Sequence, residues 1–169
     1  MSNLGDLIGE LVKAAAKWVD KCLPEYQPSA WNDGNGIQLN NNCYNYGCDI
    51  QTGTYAQPGR AHGAQAKEMA CNKVVPAAVA DGLVQVSTED GCGCSECRHV
   101  VALVVRPGID YHWYRRDKDG KWSHKFASNP ATNLDNSNNI IIDPKTADRG
   151  PYTDFCGYFC VNKSKVTIS

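Results

Sequence analysis

The sequence predicts an α+β fold in which N-terminal helices pack on an antiparallel β-sheet. Two observations support this prediction. Apolar residues recur at helical spacing over residues 4–19, whereas residues 99–126 contain three strand-like runs separated by turn signals. With 169 residues and 42% apolar composition, the chain is long enough to form one domain with a substantial core.

The N-terminal segment, residues 1–22, is predicted to form an amphipathic helix. Its apolar residues lie at helical spacing from Leu4 to Val19, and acidic and basic residues occupy the other faces. Ser2 or Asn3 would cap the start of the helix. Because the polar face carries both signs of charge, we expect the helix to pack on the domain core and not on a membrane or a partner.

Irregular structure is predicted between this helix and Cys43, because residues 24–42 are rich in Pro, Gly, Asn and Asp. A short helix then begins at Cys43. A second helical region is predicted over residues 64–72 and 77–81, with an interruption at Pro76.

A three-stranded antiparallel meander follows. The run from His99 to Val105 has no polar residue after His99, which predicts a buried central strand. Residues 109–116 and 121–126 are predicted as the second and third strands.

The turn between the second and third strands determines which side chains share a face. Residues 117–121 fit a three-residue loop with Gly120 in the left-handed conformation. This register pairs Tyr114 with His124 and places both on the same face as His112. A two-residue loop would instead move His124 to the opposite face.

The last third of the chain is predicted to be less regular. It contains an Asn-rich loop at residues 129–139, a short strand at residues 140–142 that stops at Asp143, and a closing strand around residues 157–161.

Charge and hydropathy limit the partners of the chain. The 17 Lys and Arg residues nearly balance the 18 Asp and Glu residues, so no large basic face is available for nucleic acid or an anionic membrane. The longest apolar run is too short for a membrane span, and no secretory signal peptide is recognisable. We expect export by another route and a site of action outside the cytoplasm.

Nine cysteines are a high number for this length, and the odd count suits four disulfides and one free reactive thiol. The alternative is a zinc site on the closely spaced Cys92, Cys94 and Cys97. Four residues could supply its fourth ligand: Cys71, His99, Cys156 and Cys160. No second cysteine pair lies at a zinc-ribbon spacing, so disulfides are favoured, and no metal or other cofactor is predicted. Cys48 is predicted to be a structural half-cystine.

Cys43 is the strongest candidate for a functional residue. It begins a predicted helix, where free N–H groups favour the thiolate, the nucleophilic form of cysteine. His112 could act as the general base, and His124 could orient the His112 ring through its other nitrogen. Asn42 or Gln38 could donate to an oxyanion beside the Cys43 N–H.

The order of Cys43, His112 and His124 resembles that of the NlpC/P60 and CHAP branches of the papain-like cysteine hydrolases, in which a cysteine opens a helix and histidines follow on strands. The runs His112–Arg115 and Trp122–Lys125 are similar to those of small bacterial papain-like effectors.

The resemblance implies a single papain-like domain with a catalytic core at residues 37–127 and a C-terminal extension at residues 128–169. It implies hydrolysis of an amide bond through an acyl-enzyme. Peptidoglycan stem peptides would be the substrate of such a cell-wall hydrolase or secreted antibacterial effector, which would have an immunity or delivery protein as a partner. Asp135 and Asp143 are alternative third catalytic residues, because many papain-like enzymes use Asn or Asp downstream of the histidine. The substrate groove could be lined by Trp113, Tyr114 and Trp122.

Two other functions remain open on the sequence. The first is a noncatalytic, cysteine-rich binding module, stabilised by disulfides or zinc, that uses exposed aromatic residues and the Asn-rich loops. In that interpretation Cys43 is half of a disulfide, and His112 and His124 are polar residues of a half-exposed sheet. The second is a transamidating or deamidating toxin, since the same acyl-enzyme can be resolved by an amine or can start from a glutamine side chain.

Overall fold

A computed structural model of the protein describes residues 4–20, 22–93 and 96–169. The helices are α1 (Leu4–Asp20), α2 (Gly36–Asn40), α3 (Cys43–Cys48) and α4 (Cys71–Ala80). Short 3₁₀ turns lie at Pro28–Ala30 and Arg60–His62. The strands are β1 (Val84–Val86), β2 (His99–Arg106), β3 (Asp110–Arg116), β4 (Trp122–Lys125), β5 (Ala131–Thr132) and β6 (Asp154–Val161).

The strands form one six-stranded sheet in the order β1-β6-β2-β3-β4-β5, and every neighbouring pair is antiparallel. Together with the helices, this sheet confirms the predicted α+β class. The predicted central strand is also confirmed, because β2 lies between β6 and β3 and all of its residues except Arg106 are buried. The short strands β1 and β5 were not predicted, and the strand expected at residues 140–142 is reduced to a single bridge between Leu134 and Ile140.

Both faces of the sheet are covered, which explains the uninterrupted apolar sequence of β2. On one face Val101 and Leu103 pack with residues of α3 and α4. On the other face Ala102 and Val104 pack with residues from the last third of the chain, which include Ile141. The sheet therefore separates two cores, one helical and one formed by loops.

The hairpin between β3 and β4 has the predicted register. Tyr114 pairs with His124, and the Asp117 N–H donates to the Lys121 carbonyl at 2.8 Å. Gly120 has a φ of 80°, the left-handed conformation that this loop requires. His112, Tyr114 and His124 accordingly share one face of the sheet.

The prediction that α1 packs on the domain core is wrong for the side chains that the structure describes. Five large apolar residues of the helix are between 52% and 76% exposed: Leu4, Leu7, Ile8, Leu11 and Val12. Among the described residues, the side chains of α1 join none of the hydrophobic clusters, which are built from α3, α4, the sheet and the C-terminal third. The predicted caps Ser2 and Asn3 lie outside the described residues.

Helix α4 runs without a break from Cys71 to Ala80 and contains Pro76, so the predicted interruption there is wrong. The proline lacks an N–H that would bond to the Asn72 carbonyl, a loss confined to the first turns of the helix. Residues 64–70, predicted to be helical, have no helix.

Three disulfides join distant parts of the chain: Cys22–Cys97, Cys71–Cys156 and Cys92–Cys160. Cys43 and Cys48 are free and buried, and Cys94 lies outside the described residues. The prediction of four disulfides with a single free thiol is therefore wrong, as is that of Cys48 as a half-cystine. Cys48 is enclosed in the helical core, where apolar side chains surround it.

Candidate functional site

The start of α3 is fixed by a reciprocal pair of side-chain hydrogen bonds. The Asn42 side-chain oxygen accepts from the N–H groups of Tyr44 and Asn45, and the Asn45 side-chain oxygen accepts from the Asn42 N–H at 3.0 Å. The Asn42 amide nitrogen donates to the Ala56 carbonyl at 2.8 Å. Both ends of the Asn42 side chain are thus used to hold the helix in place.

Close packing positions α3 on β3. A Cβ atom at Gly47 would lie 3.3 Å from the Cβ of Trp113, so a glycine permits this close approach of helix and strand. The His99 ring also faces α3 and lies 2.7 Å from the Gly47 carbonyl. Since α3 packs on the Trp113 face of β3, the neighbouring His112 points to the opposite face.

Cys43 lies at the first position of α3 and is almost fully buried. Burial raises the pKa of its thiol to about 12, and the negative charge of Asp110 acts in the same direction. Hydrogen bonds from backbone N–H groups, including that of Trp113, oppose the shift but do not cancel it. At neutral pH the Cys43 sulfur is a protonated thiol, which is a poor nucleophile.

His112 and His124 form a hydrogen-bonded pair whose direction can be deduced. The Leu134 carbonyl can only accept, so the His124 Nε2, 3.0 Å away, carries the proton. Burial lowers the pKa of both histidines, and the neighbouring His124 ring lowers the pKa of His112 further. Both rings are therefore neutral. His124 Nδ1 is therefore an acceptor, and His112 Nε2 donates to it at 2.7 Å. The remaining His112 Nδ1 is an acceptor without a hydrogen-bond partner among the described residues.

Cys43 and His112 both line a small cavity of about 200 Å³ at the start of β3. No hydrogen bond joins the Cys43 sulfur to the His112 ring in the described part of the chain. Asn42 lines the same cavity, whereas the Gln38 side chain contacts the Gly34 N–H and the Ser128 carbonyl. The structure thus brings the predicted cysteine and histidines close together but keeps the thiol neutral.

The two tryptophans proposed for a groove are core residues. Trp113 and Trp122 are fully buried, and neither indole N–H has a partner among the described residues. Tyr114, by contrast, lines a large cavity, as does Asp135. Asp143 accepts hydrogen bonds from the Tyr158 hydroxyl and the Lys145 N–H.

That large cavity, of about 460 Å³, lies on the loop-covered face of the sheet. Its wall combines residues from β3 and β4 with the Asn-rich loop and residues near position 150. Aromatic rings come from Tyr114, Phe126 and Tyr152. Side-chain amides come from Asn129, Asn136 and Asn138. The charged residues are Arg106, Asp110, Asp135 and Arg149.

A buried lysine next to the site was not predicted. The Lys125 amino group donates to the carbonyls of Gln38, Asn41 and Ala127 at 2.5–2.7 Å. Burial lowers its pKa to about 8. These bonds attach the segment before α3 to β4. A lysine inside a predicted strand was the available signal, but the sequence does not show which carbonyls it reaches.

A second unpredicted group of buried polar residues connects α3 with the β3–β4 hairpin. The Arg115 guanidinium donates to Asp117 at 2.9 Å and to Asp49 at 3.1 Å, and lies 4.1 Å above the Tyr46 ring. The Ser123 hydroxyl donates to the other oxygen of Asp117. Buried charges require such complete pairing, and this network holds α3 against the sheet.

The rival zinc ligands do not form a metal site in the described residues. Cys92 is bonded to Cys160 and Cys97 to Cys22, so neither sulfur is available as a thiolate, and Cys94 lies outside the described residues. Across residues 4–20, 22–93 and 96–169, no group of His, Cys, Asp and Glu side chains is arranged to hold a metal ion. Over the same residues, no helix combines the length and the apolar character needed to span a membrane.

These features define a disulfide-bonded α+β protein with a neutral, buried cysteine and an aromatic-lined cavity. Over 140 residues the chain is 49% identical to Insoluble matrix shell protein 1 of the mollusc Ruditapes philippinarum, and the alignment covers 83% of this chain and 91% of that protein. The chain belongs to the family of that shell protein. No family model matches the chain, and no solved structure matches it.

This relationship overturns several expectations drawn from the sequence. The resemblance to NlpC/P60 and CHAP hydrolases is wrong, and so is the assignment of the chain as a cysteine amidase, peptidase or toxin that cleaves or modifies amides. The order of Cys43, His112 and His124 was a misleading signal, because residue order does not show whether a thiol can ionise. In this fold, burial keeps the Cys43 thiol protonated.

Proposed function

We propose that this chain is a noncatalytic structural and binding module of an extracellular matrix, stabilised by disulfides. The observation that carries the proposal is the 49% identity to a protein named as an insoluble shell matrix protein. Disulfides are typical of proteins in oxidising, extracytoplasmic environments, and three of them fit this setting.

The disulfides suit a structural role because each closes a long loop. The bonded cysteines are 68 to 85 residues apart in the sequence. In the chain-entropy model, closing one loop of this length stabilises the folded state by about 4.5 kcal/mol. Cys71–Cys156 links α4 to β6, and Cys92–Cys160 links the loop before β2 to the same strand. The bonds thus hold the helical layer and the loops to the sheet.

The binding role rests on the rigid wall of the large cavity. The Asp135 carboxylate accepts from the N–H groups of Ser137, Asn139 and Asp148, which ties the Asn-rich loop to a neighbouring turn. A wall held in this way loses little conformational entropy when a ligand binds.

Fractionation of the extracellular matrix of the source organism tests this proposal. An antibody against the chain should detect it in the insoluble fraction that remains after extraction with salt and detergent, and alkylation without reductant should leave Cys71 and Cys92 unmodified in that fraction. Detection only in the soluble cellular fraction, with free thiols at Cys71 and Cys92, would contradict the proposal.

A further inference from the structure

We propose that the large cavity and the adjoining small cavity form one binding groove for a neutral saccharide chain. The inference rests on the proposed function as a binding module and gives its ligand class. The two cavities, of about 460 and 200 Å³, share Asp110, His112 and Phe126 as walls. Because the two cavities adjoin at the start of β3, a ligand of several linked sugar rings could occupy both.

Aromatic rings provide the apolar part of the groove. Phe126 is 42% exposed. Its ring centroid lies 5.5 Å from that of His112 and 6.3 Å from that of Tyr152, so these two rings hold it in place while part of it remains accessible to a ligand. A sugar ring presents a face of C–H groups that can pack on such a surface, while its hydroxyls point outward.

Two polar side-chain atoms in the groove have no hydrogen-bond partner among the described residues and are not enclosed as the Trp113 and Trp122 indole nitrogens are. His112 Nδ1 is an acceptor and the Tyr114 hydroxyl is a donor and acceptor, and neither has a hydrogen-bond partner among the described residues. Both side chains are more than nine-tenths buried. A hydroxyl both donates and accepts, so vicinal sugar hydroxyls could bond to both groups in place of water.

The charges in the groove point to a neutral ligand. Arg106 and Arg149 are balanced by Asp110 and Asp135. Arg149 is already held by the carbonyls of four residues: Pro144, Lys145, Tyr152 and Thr153. Asp110 accepts from the Tyr152 hydroxyl at 2.8 Å. With two charges of each sign, the groove has no net preference for an acidic or basic polymer.

A peptide fits this groove less well than a saccharide. Extended peptides are commonly bound by adding a strand to an open sheet edge. Strand β3, which forms the floor of the groove, is paired on both sides, with β2 and β4. The groups that the groove offers are side-chain amides, carboxylates, hydroxyls and rings, which suit the closely spaced hydroxyls of a sugar.

The test is a titration of the intact, disulfide-bonded protein followed by NMR. The probes are neutral β-1,4-linked hexasaccharides of glucose and of N-acetylglucosamine, an acidic hexasaccharide of galacturonate, and an uncharged extended hexapeptide. At least one neutral hexasaccharide should give saturable shifts centred on Phe126, Tyr114 and the Asn-rich loop, with weaker or no binding of the other two probes.

Variants assign the binding to the groove. Phe126→Ala should raise the Kd about tenfold, as expected for the loss of one stacked ring. Tyr114→Phe, which removes only a hydroxyl, should raise it about threefold to tenfold. Ile142→Ala is the control, since Ile142 is exposed and lines neither cavity; it should leave the Kd unchanged.

The outcomes separate this inference from the proposed function. Groove binding by the hexapeptide or galacturonate alone, or no binding by either neutral hexasaccharide, would overturn the saccharide assignment and leave the matrix role intact. Cleavage of the hexapeptide by the wild-type protein but not by a Cys43→Ala variant would instead overturn the noncatalytic function itself.

Discussion

Leucine-to-alanine substitutions in β2 and α1 should have very different effects on stability. Leu103 lies in the central strand and is fully buried, and its cross-strand neighbours are Trp113 and Gly157. The glycine has no side chain that could move into the space left by Leu103→Ala. We therefore expect a loss of about 3 kcal/mol or more in the free energy of unfolding, within the range for buried leucines.

The matched change in α1 is Leu11→Ala. Leu11 is 65% exposed, so truncating it removes little buried apolar surface. We expect a change of about 0.5 kcal/mol or less, as for most exposed positions.

Both variants would be measured by urea denaturation at pH 7.5 without reductant, with far-UV circular dichroism and tryptophan fluorescence as probes. The two free energies of unfolding can be compared if each variant unfolds cooperatively with an unchanged m-value. The reasoning is refuted if Leu11→Ala destabilises the protein as much as Leu103→Ala, because α1 would then pack on the core in solution.

Three further predictions concern single side chains. Asn42→Ala should lower the free energy of unfolding by about 1–2 kcal/mol through loss of the α3 cap, and an unchanged urea midpoint would show that the cap is dispensable. Asp117→Asn should cost about 1.5–3 kcal/mol, because the buried Arg115 loses its closest anion and keeps only the charge of Asp49; a cost no larger than that of an exposed control, Asp119→Asn, would contradict the pairing. Burial lowers the pKa of His99 in the folded protein to about 4, below the value of about 6.5 in the unfolded chain. As the pH falls from about 6.5 toward 4, His99 is therefore protonated in the unfolded chain but not in the folded one. The free energy of unfolding should therefore decrease in that window, by on the order of 3 kcal/mol from this residue, and a His99→Gln variant that kept the full slope would show that other groups cause it.

Local patterns allowed parts of the fold to be predicted. The apolar run of β2 indicated a strand covered on both faces, and Gly120 determined the hairpin register and hence the shared face of His112 and His124. These predictions succeeded because a strand period and a turn conformation depend on residues close together in the sequence.

Features that depend on distant contacts could not be predicted in the same way. The periodicity of α1 showed that one helix face is apolar, but not that the described side chains of this face stay exposed in the folded chain. The walls of the large cavity come from segments near residues 106–114, 124–138 and 149–152, which only the folded chain brings together.

The protonation state of Cys43 could not be predicted from the sequence for a specific physical reason. A helix N-terminus favours a thiolate by a modest amount, whereas complete burial penalises any charge far more strongly. The sequence shows that Cys43 begins a helix, but its burial depends on neighbours such as Tyr111 that are far away in the chain. The larger, long-range effect therefore outweighs the local one.

The reactivity of Cys43 tests the noncatalytic account most directly. The native protein and the same protein in denaturant, with disulfides intact, would be treated with iodoacetamide between pH 7 and 9, and the modified residue identified by mass spectrometry. The account predicts that native Cys43 reacts more slowly than unfolded Cys43 at every pH, as does buried Cys48. Faster reaction in the native state at pH 7, with an apparent pKa below the ordinary value of about 8.5, would contradict it.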